Sequence, residues 1–327
     1  MLKIPQFKKR WQQNEAMYQR GKETDSVIRI QLIIRYEEKA LKQYPDELQS
    51  SIEKLDLVFH REIGYNFEKI MDSIDADNSS RITMMIRTAF EVTEDYIEFF
   101  VKFVNDTEKG LNYFKKVIDF IIRLFKKKRI KLLLNNEPEP IDSALKNLPK
   151  FLKNVFTFLP EALEETKRLW IAFEGFRIQR STLHSYLQIG KGICEESNFK
   201  YHSAKLEYLK GYRFIKKTMF QFSNNLTRDA SDFEILYSLR GTIHAFIDVN
   251  RYSYKLCIKQ KNNQEAIEII ENKLTLKLKR VFEKHPDEFG RLRWIQCLFE
   301  DQYLLAKLHF QSENYSDCLV TMCIIVR

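Results

Sequence analysis

Turning is what this chain is least equipped to do. Its 327 residues include 9 Gly and 7 Pro, against average usage of about 7% and 5%. Two-residue β-hairpins draw on Asn-Gly and Asp-Gly pairs, and neither dipeptide occurs. A chain that turns so seldom, and is rich in Leu, Ile, Lys and Glu, builds long helices. Hydrophobic residues make up 44%, with 25 Phe and 15 Tyr. That is too apolar for an intrinsically disordered chain. The expectation is an all-α fold with no sheet of three or more strands.

This length holds one large or two medium domains, each able to bury a core. The densest interruption is Asn135, Asn136, Glu137, Pro138, Glu139 and Pro140, followed by Pro149. Proline disfavours helix for itself and for the residue before it. The segment 135–149 therefore predicts an exposed, protease-sensitive linker. It would join an N-terminal helical bundle over 1–134 to a C-terminal module over 150–327. Hydrophobic periodicity predicts N-terminal helices near 6–20, 24–43, 46–73, 79–105 and 107–134. On the last of these, Leu111, Phe114, Ile118, Ile121 and Phe125 form one apolar stripe. The C-terminal module reads as helices near 141–155, 160–176, 179–195, 199–222, 230–248, 251–261, 263–284, 287–311 and 315–327. Pro160 and Pro286, each followed by acids, mark first helical turns.

The most apolar stretches are broken by Glu98 and Lys102, and by Asp119 and Arg123. Neither reaches the ~18 uncharged residues a membrane span needs. No apolar run follows the charges of the N-terminus, so no secretory signal is read there. Five cysteines, Cys194, Cys257, Cys297, Cys318 and Cys323, form no Cys-x-x-Cys pattern. An odd set of that kind fits free thiols in a reducing compartment. The expected location is intracellular, in the cytoplasm, with the nucleus as the alternative.

Catalytic and metal motifs are missing from the sequence. There is no His-Glu-x-x-His, no Gly-x-x-x-x-Gly-Lys-Ser/Thr, no Gly-x-Gly-x-x-Gly and no Gly-x-Ser-x-Gly. Asp56 and His60 share a helix face at i, i+4, a spacing that more often makes a surface pair than a metal corner. The run Asp75-Ala76-Asp77-Asn78-Ser79 resembles the first half of an EF-hand loop. Ser80 replaces its glycine, and Ile86 replaces the carboxylate that closes the site. The run reads better as a polar turn capping a helix from Arg81. No catalytic residue, cofactor or metal is assigned, and the chain is expected not to be an enzyme.

Several segments of residues 185–327 resemble tetratricopeptide-repeat hairpins. That pattern has a small residue where two helices cross, an aromatic one turn on, a polar turn, then a second small residue. Ala306, His309-Phe310, Asn314-Tyr315 and Cys318 match it best. Gly190, Ile193 and Asn198-Phe199 match in part, with His202 at the second small position. Tyr254, Cys257, Asn262-Asn263 and Ala266 match with bulky Tyr254 at the first. The resemblance implies an irregular antiparallel helical array, an α-solenoid, serving as a protein-interaction scaffold.

The net charge of +9 points to an acidic partner. Most of it sits in Lys115, Lys116, Arg123, Lys126, Lys127, Lys128, Arg129 and Lys131, against Asp119 alone within 115–131. A second basic face carries Lys205, Lys210, Arg213, Lys216 and Lys217 among Tyr208, Tyr212, Phe214 and Phe220. These thirteen basic residues are the candidate partner-binding set, and the expected partner is an acidic protein. The alternative is nucleic acid, held by phosphate pairing and base stacking. An acidic membrane surface is a further reading of the 115–131 run. The ordinary counter-reading is a solvated helix end, with Leu209, Tyr212, Ile215, Met219 and Phe222 as a core stripe.

Overall fold

A computed structural model describes residues 93–126, 145–175, 181–225, 232–284 and 297–326, with eight isolated positions between 49 and 90. Among the described residues every regular element is helical and none is a strand. The chain divides into two compact units, Met1–Arg177 and Ile178–Arg327. The predicted helices before residue 93 lie largely outside the described residues. So do the Asp56/His60 pair and the loop at 75–86, apart from the buried Ile86.

In the first unit, residues 93–99 run as a helix into a π-helical turn, Phe100–Val104. Asn105 ends it in the left-handed conformation, with φ 57°, one that Asn tolerates better than most residues. Asp106 then caps helix α1, Thr107–Lys126. Its Oδ1 accepts the Lys109 N–H at 2.8 Å and satisfies one of the unpaired donors of the first turn. The apolar stripe on α1 is wider than predicted. Tyr113, Val117, Phe120 and Leu124 are buried beside Phe114, Ile118, Ile121 and Phe125, while Leu111 is only half-buried.

The width has a cause, because α1 is covered by more than one element. Helix α2, Leu148–Phe158, stacks Phe151 on Phe114 at 5.8 Å. Helix α3, Ala162–Gly175, sets Phe173 edge-on against Phe125 at 5.0 Å. These contacts correct the expected boundary. Residues 135–144 lie outside the described residues, but Leu145, Leu148 and Pro149 are buried. Pro149 stands in the first turn of α2, where its missing N–H costs no helical bond. It starts a helix of the first unit, and the units divide between Arg177 and Ile178.

The second unit is a run of helices: α4 Ser181–Ser197, α5 Tyr201–Asn225, α6 Asp232–Lys259, α7 Asn263–Glu268, α8 Leu276–Lys284, α9 Phe299–Gln311 and α10 Tyr315–Val326. A π-helical segment, Ile269–Thr275, joins α7 to α8. Its wider winding shows where the Leu276 N–H reaches back to the Glu271 carbonyl. Where two helices are predicted over 230–261, a single α6 runs through. Asn250 is buried, and its amide donates to the Phe246 carbonyl four residues back at 2.7 Å. That local bond satisfies the Asn250 amide within the helix, so the chain continues through residues 249–250 without a break.

Three hairpins, α4/α5, α6/α7 and α9/α10, close through the same turn. Phe199, Lys261 and Glu313 each take a left-handed φ of 59–60°. The residue after each donates its N–H five residues back at 2.9 Å: Lys200 to Glu195, Asn262 to Cys257, Asn314 to His309. This is the Schellman closure, which satisfies carbonyls left unpaired at a helix end.

The recurrence puts the repeat in register. Seven residues before each left-handed residue stand Gly192, Tyr254 and Ala306; five after stand Ala204, Ala266 and Cys318. The equivalent of Ala306 in the first hairpin is thus Gly192 rather than Gly190. The second small residue is Ala204, fully buried, rather than His202, which is exposed. Ala306 itself is buried between α9 and its neighbours. Replacing Ala306 by Leu is expected to overpack that contact at a cost of about 1–3 kcal/mol. The denaturation midpoint reads the effect, and an unchanged midpoint removes Ala306 from the crossing.

Candidate interaction surfaces

On α5 the buried stripe is Ala204, Tyr208, Gly211, Ile215 and Met219, at i, i+4, i+7, i+11 and i+15. Of the predicted core stripe, Ile215 and Met219 are buried, while Leu209 and Tyr212 are half-buried. The opposite face of α5 carries Leu206, Lys210, Arg213, Phe214 and Lys217, all exposed. Leu206 and Phe214 keep 44% and 46% of their surface in solvent, so this face is not the all-polar one of an ordinary solvated helix. The Phe214 ring lies against His184 of α4 at 4.1 Å, which holds it in place.

The predicted basic residues divide into compensated and uncompensated groups. Lys205 bridges to Glu265 of α7 at 2.6 Å, and Lys210 to Glu207 at 2.6 Å. Lys216 sits half-buried with its amine over the Tyr212 ring. Arg213 and Lys217 remain exposed without an ion pair among the described residues. On α1, Lys115 faces Glu165 at 3.5 Å, and Lys116 lies over Tyr113. Arg123 and Lys126 are exposed in the last turn. Arg168 of α3 bonds Asp119 at 2.7 Å, so α3 balances the middle of α1 with both signs of charge. Lys127, Lys128, Arg129 and Lys131 lie outside the described residues.

A buried polar clasp holds α9. Asp301 is fully buried and accepts from the Arg251 guanidinium at 3.0 Å (Nε to Oδ1) and 2.7 Å (Nη2 to Oδ2). The Tyr254 hydroxyl donates to the same Oδ1 at 2.6 Å. Two residues of the π-helical segment extend the clasp. Thr275 Oγ1 accepts from the Gln302 amide at 2.6 Å, and Glu271 meets His309 Nε2 at 2.9 Å. Burial, and then the Asp301 charge, push the Tyr254 hydroxyl above its ordinary value. Within the clasp Asp301, Arg251 and Tyr254 satisfy one another, while Nδ1 of the buried His309 is left without a partner among the described residues; the geometry is that of a structural joint.

Two buried groups of this unit are held in their protonated forms. Burial pushes the Cys257 thiol up to about 11, away from the thiolate that would react. Burial and the neighbouring Glu196 likewise hold the Tyr208 proton on. Among the described residues no three His, Cys, Asp or Glu side chains gather as a metal site. No helix among them is long and apolar enough to cross a membrane.

Sequence reasoning missed two features. Leu206 was legible, with Phe214, as an apolar residue of α5 off the buried register. The other lies on α9 and α10. There Leu319 and Met322 face solvent, while Thr321 is buried and Cys318 half-buried.

No family model and no curated protein matches this chain. Among solved structures it is similar to a "Circular tandem repeat protein with novel repeat topology and enhanced subunit contact surfaces". The TM-score is 0.37 and the identity 13%, over 91% of this chain and 76% of that chain. A likeness of that degree defines no shared fold.

Proposed function

We propose that this chain is a protein-interaction scaffold of the tetratricopeptide-like kind, and that α5 receives an acidic, apolar-tipped segment of a partner protein. The recurring turn of the three hairpins supports the helical-repeat reading. The observation that carries the binding reading is the pairing of Arg213 and Lys217, both without an ion pair among the described residues, with the exposed ring of Phe214 between them. A carboxylate takes the cations while an apolar side chain covers Phe214 and Leu206. Aromatic and Arg side chains of this sort anchor interfaces more often than Lys alone.

Nucleic acid is the competing reading of the same face. An exposed ring can stack a base. A steep salt slope, however, comes with about 6–10 phosphate contacts, and this face of α5 offers two cations without an ion pair among the described residues. The reading is tested by fluorescence anisotropy with a labelled peptide of Glu residues around one Phe, against a labelled oligothymidylate, over a salt series. The peptide is expected to bind more tightly, with a shallow salt slope. The Arg213→Glu/Lys217→Glu variant should weaken it by about 10-fold or more, with helicity unchanged by circular dichroism. Tighter oligothymidylate binding with a steep salt slope, or a variant that binds the peptide normally, overturns the proposal.

A further inference from the structure

The hairpin α9/α10 leaves an apolar seam uncovered. On α10, Tyr315, Leu319, Met322 and Val326 recur at i, i+4, i+7 and i+11, and all four are exposed, by 37–82%. That spacing makes one narrow line along a helix, the line along which two helices pack. On α9, Tyr303 and Phe310 are exposed by 59% and 61%. The two lines meet at the turn, where the Phe310 ring stands edge-on to Tyr315 at 5.5 Å. Scattered single apolar residues need no explanation, but a continuous seam marks an interface.

We infer that this seam is a self-association surface, with α10 packing against α10 of a second copy across a two-fold axis. Two observations select that occupant. The first is area: the exposed parts of these six residues amount to roughly 700 Å², within the range of about 600–1,000 Å² that each partner contributes to a stable pair. The second is charge. Within α10 the only ionisable side chains other than tyrosine and cysteine belong to Asp317, so two copies meet without a field of like charges. A uniformly charged partner finds no complement on α10, whereas a second copy presents the same neutral α10 line, with the exposed Lys307 of α9 at the edge of the seam between Tyr303 and Phe310. An interface across a two-fold axis is self-complementary in this way.

The test uses the full chain in sedimentation velocity over a concentration series, with Leu319→Glu/Met322→Lys as the variant. Both positions face solvent within one chain, so the variant should keep its helicity by circular dichroism. The expected result is a dimer for the unchanged chain and a dissociation constant raised by about 100-fold or more for the variant. Cys323, exposed between Met322 and Ile324, gives an independent reading. Its alkylation, followed at that residue by mass spectrometry, should slow as the concentration of the unchanged chain rises, and should not slow for the variant. A chain that stays monomeric up to ~100 µM, a variant that dimerises normally, or open-ended association beyond a dimer overturns the inference.

Discussion

Replacing Gly192 by Ala is expected to destabilise the second unit by about 3 kcal/mol, toward the upper end of overpacking costs. A methyl group there would fall 2.2 Å from Cε1 and 2.6 Å from Cδ1 of the Tyr208 ring. The ring is fully buried, and its hydroxyl donates to Glu196 at 3.0 Å, so it is held at both ends. The contact joins α4 to α5 at the position that Ala306 fills in the α9/α10 hairpin. A lowered midpoint in urea or heat, with Tyr208→Leu in the same chain recovering part of the loss, would bear this out. An unchanged midpoint would mean that α4 and α5 cross elsewhere.

Removing the Asp301 carboxylate as Asp301→Ala should cost about 3 kcal/mol, the lower end of the cost of breaking a buried ion pair. The lower end applies because the Arg251 side chain keeps 27% of its surface in solvent and regains some hydration. The loss arises chiefly from what is left behind: a half-buried guanidinium and a buried Tyr254 hydroxyl without an acceptor. The variant Arg251→Met/Tyr254→Phe/Asp301→Leu removes all three polar groups together and should lie much nearer the unchanged protein. Equal losses for the two variants would show that packing, not the unpaired groups, sets the cost.

The contrast between these two sites shows what was legible in the sequence. Helix content followed from scarce Gly and Pro, because turns need special residues that a composition displays. The α9/α10 hairpin was legible because its turn and small residues lie within thirteen positions of one another, from Ala306 to Cys318. The clasp was not, because Arg251 and Asp301 stand on separate helices and nothing local distinguishes them from surface charges. Pro149 misled because a proline opens a helix as readily as it ends one, and only the packing of Phe151 on Phe114 decides between them. On α5 the aromatic residues were visible, but which of them faced solvent depended on a register set by Gly192 and Tyr208. On α10 every third or fourth residue is apolar in more than one phase, so the pattern alone left the inward face undetermined.

The π-helical segment has a consequence for how this chain tolerates insertion and deletion. One residue of an α-helix is worth about 100° of rotation. Deleting a single residue within Ile269–Thr275 would restore ordinary α-winding, yet it would turn everything beyond it by that angle. Leu278 and Val281, now buried, would swing out of the core, or else Glu271 and Thr275 would swing away from His309 and Gln302. The extra residue thus works as a phase adjuster. It lets one continuous stretch of helix serve two partners whose faces are out of step, so losing a codon there would cost one of the two contacts.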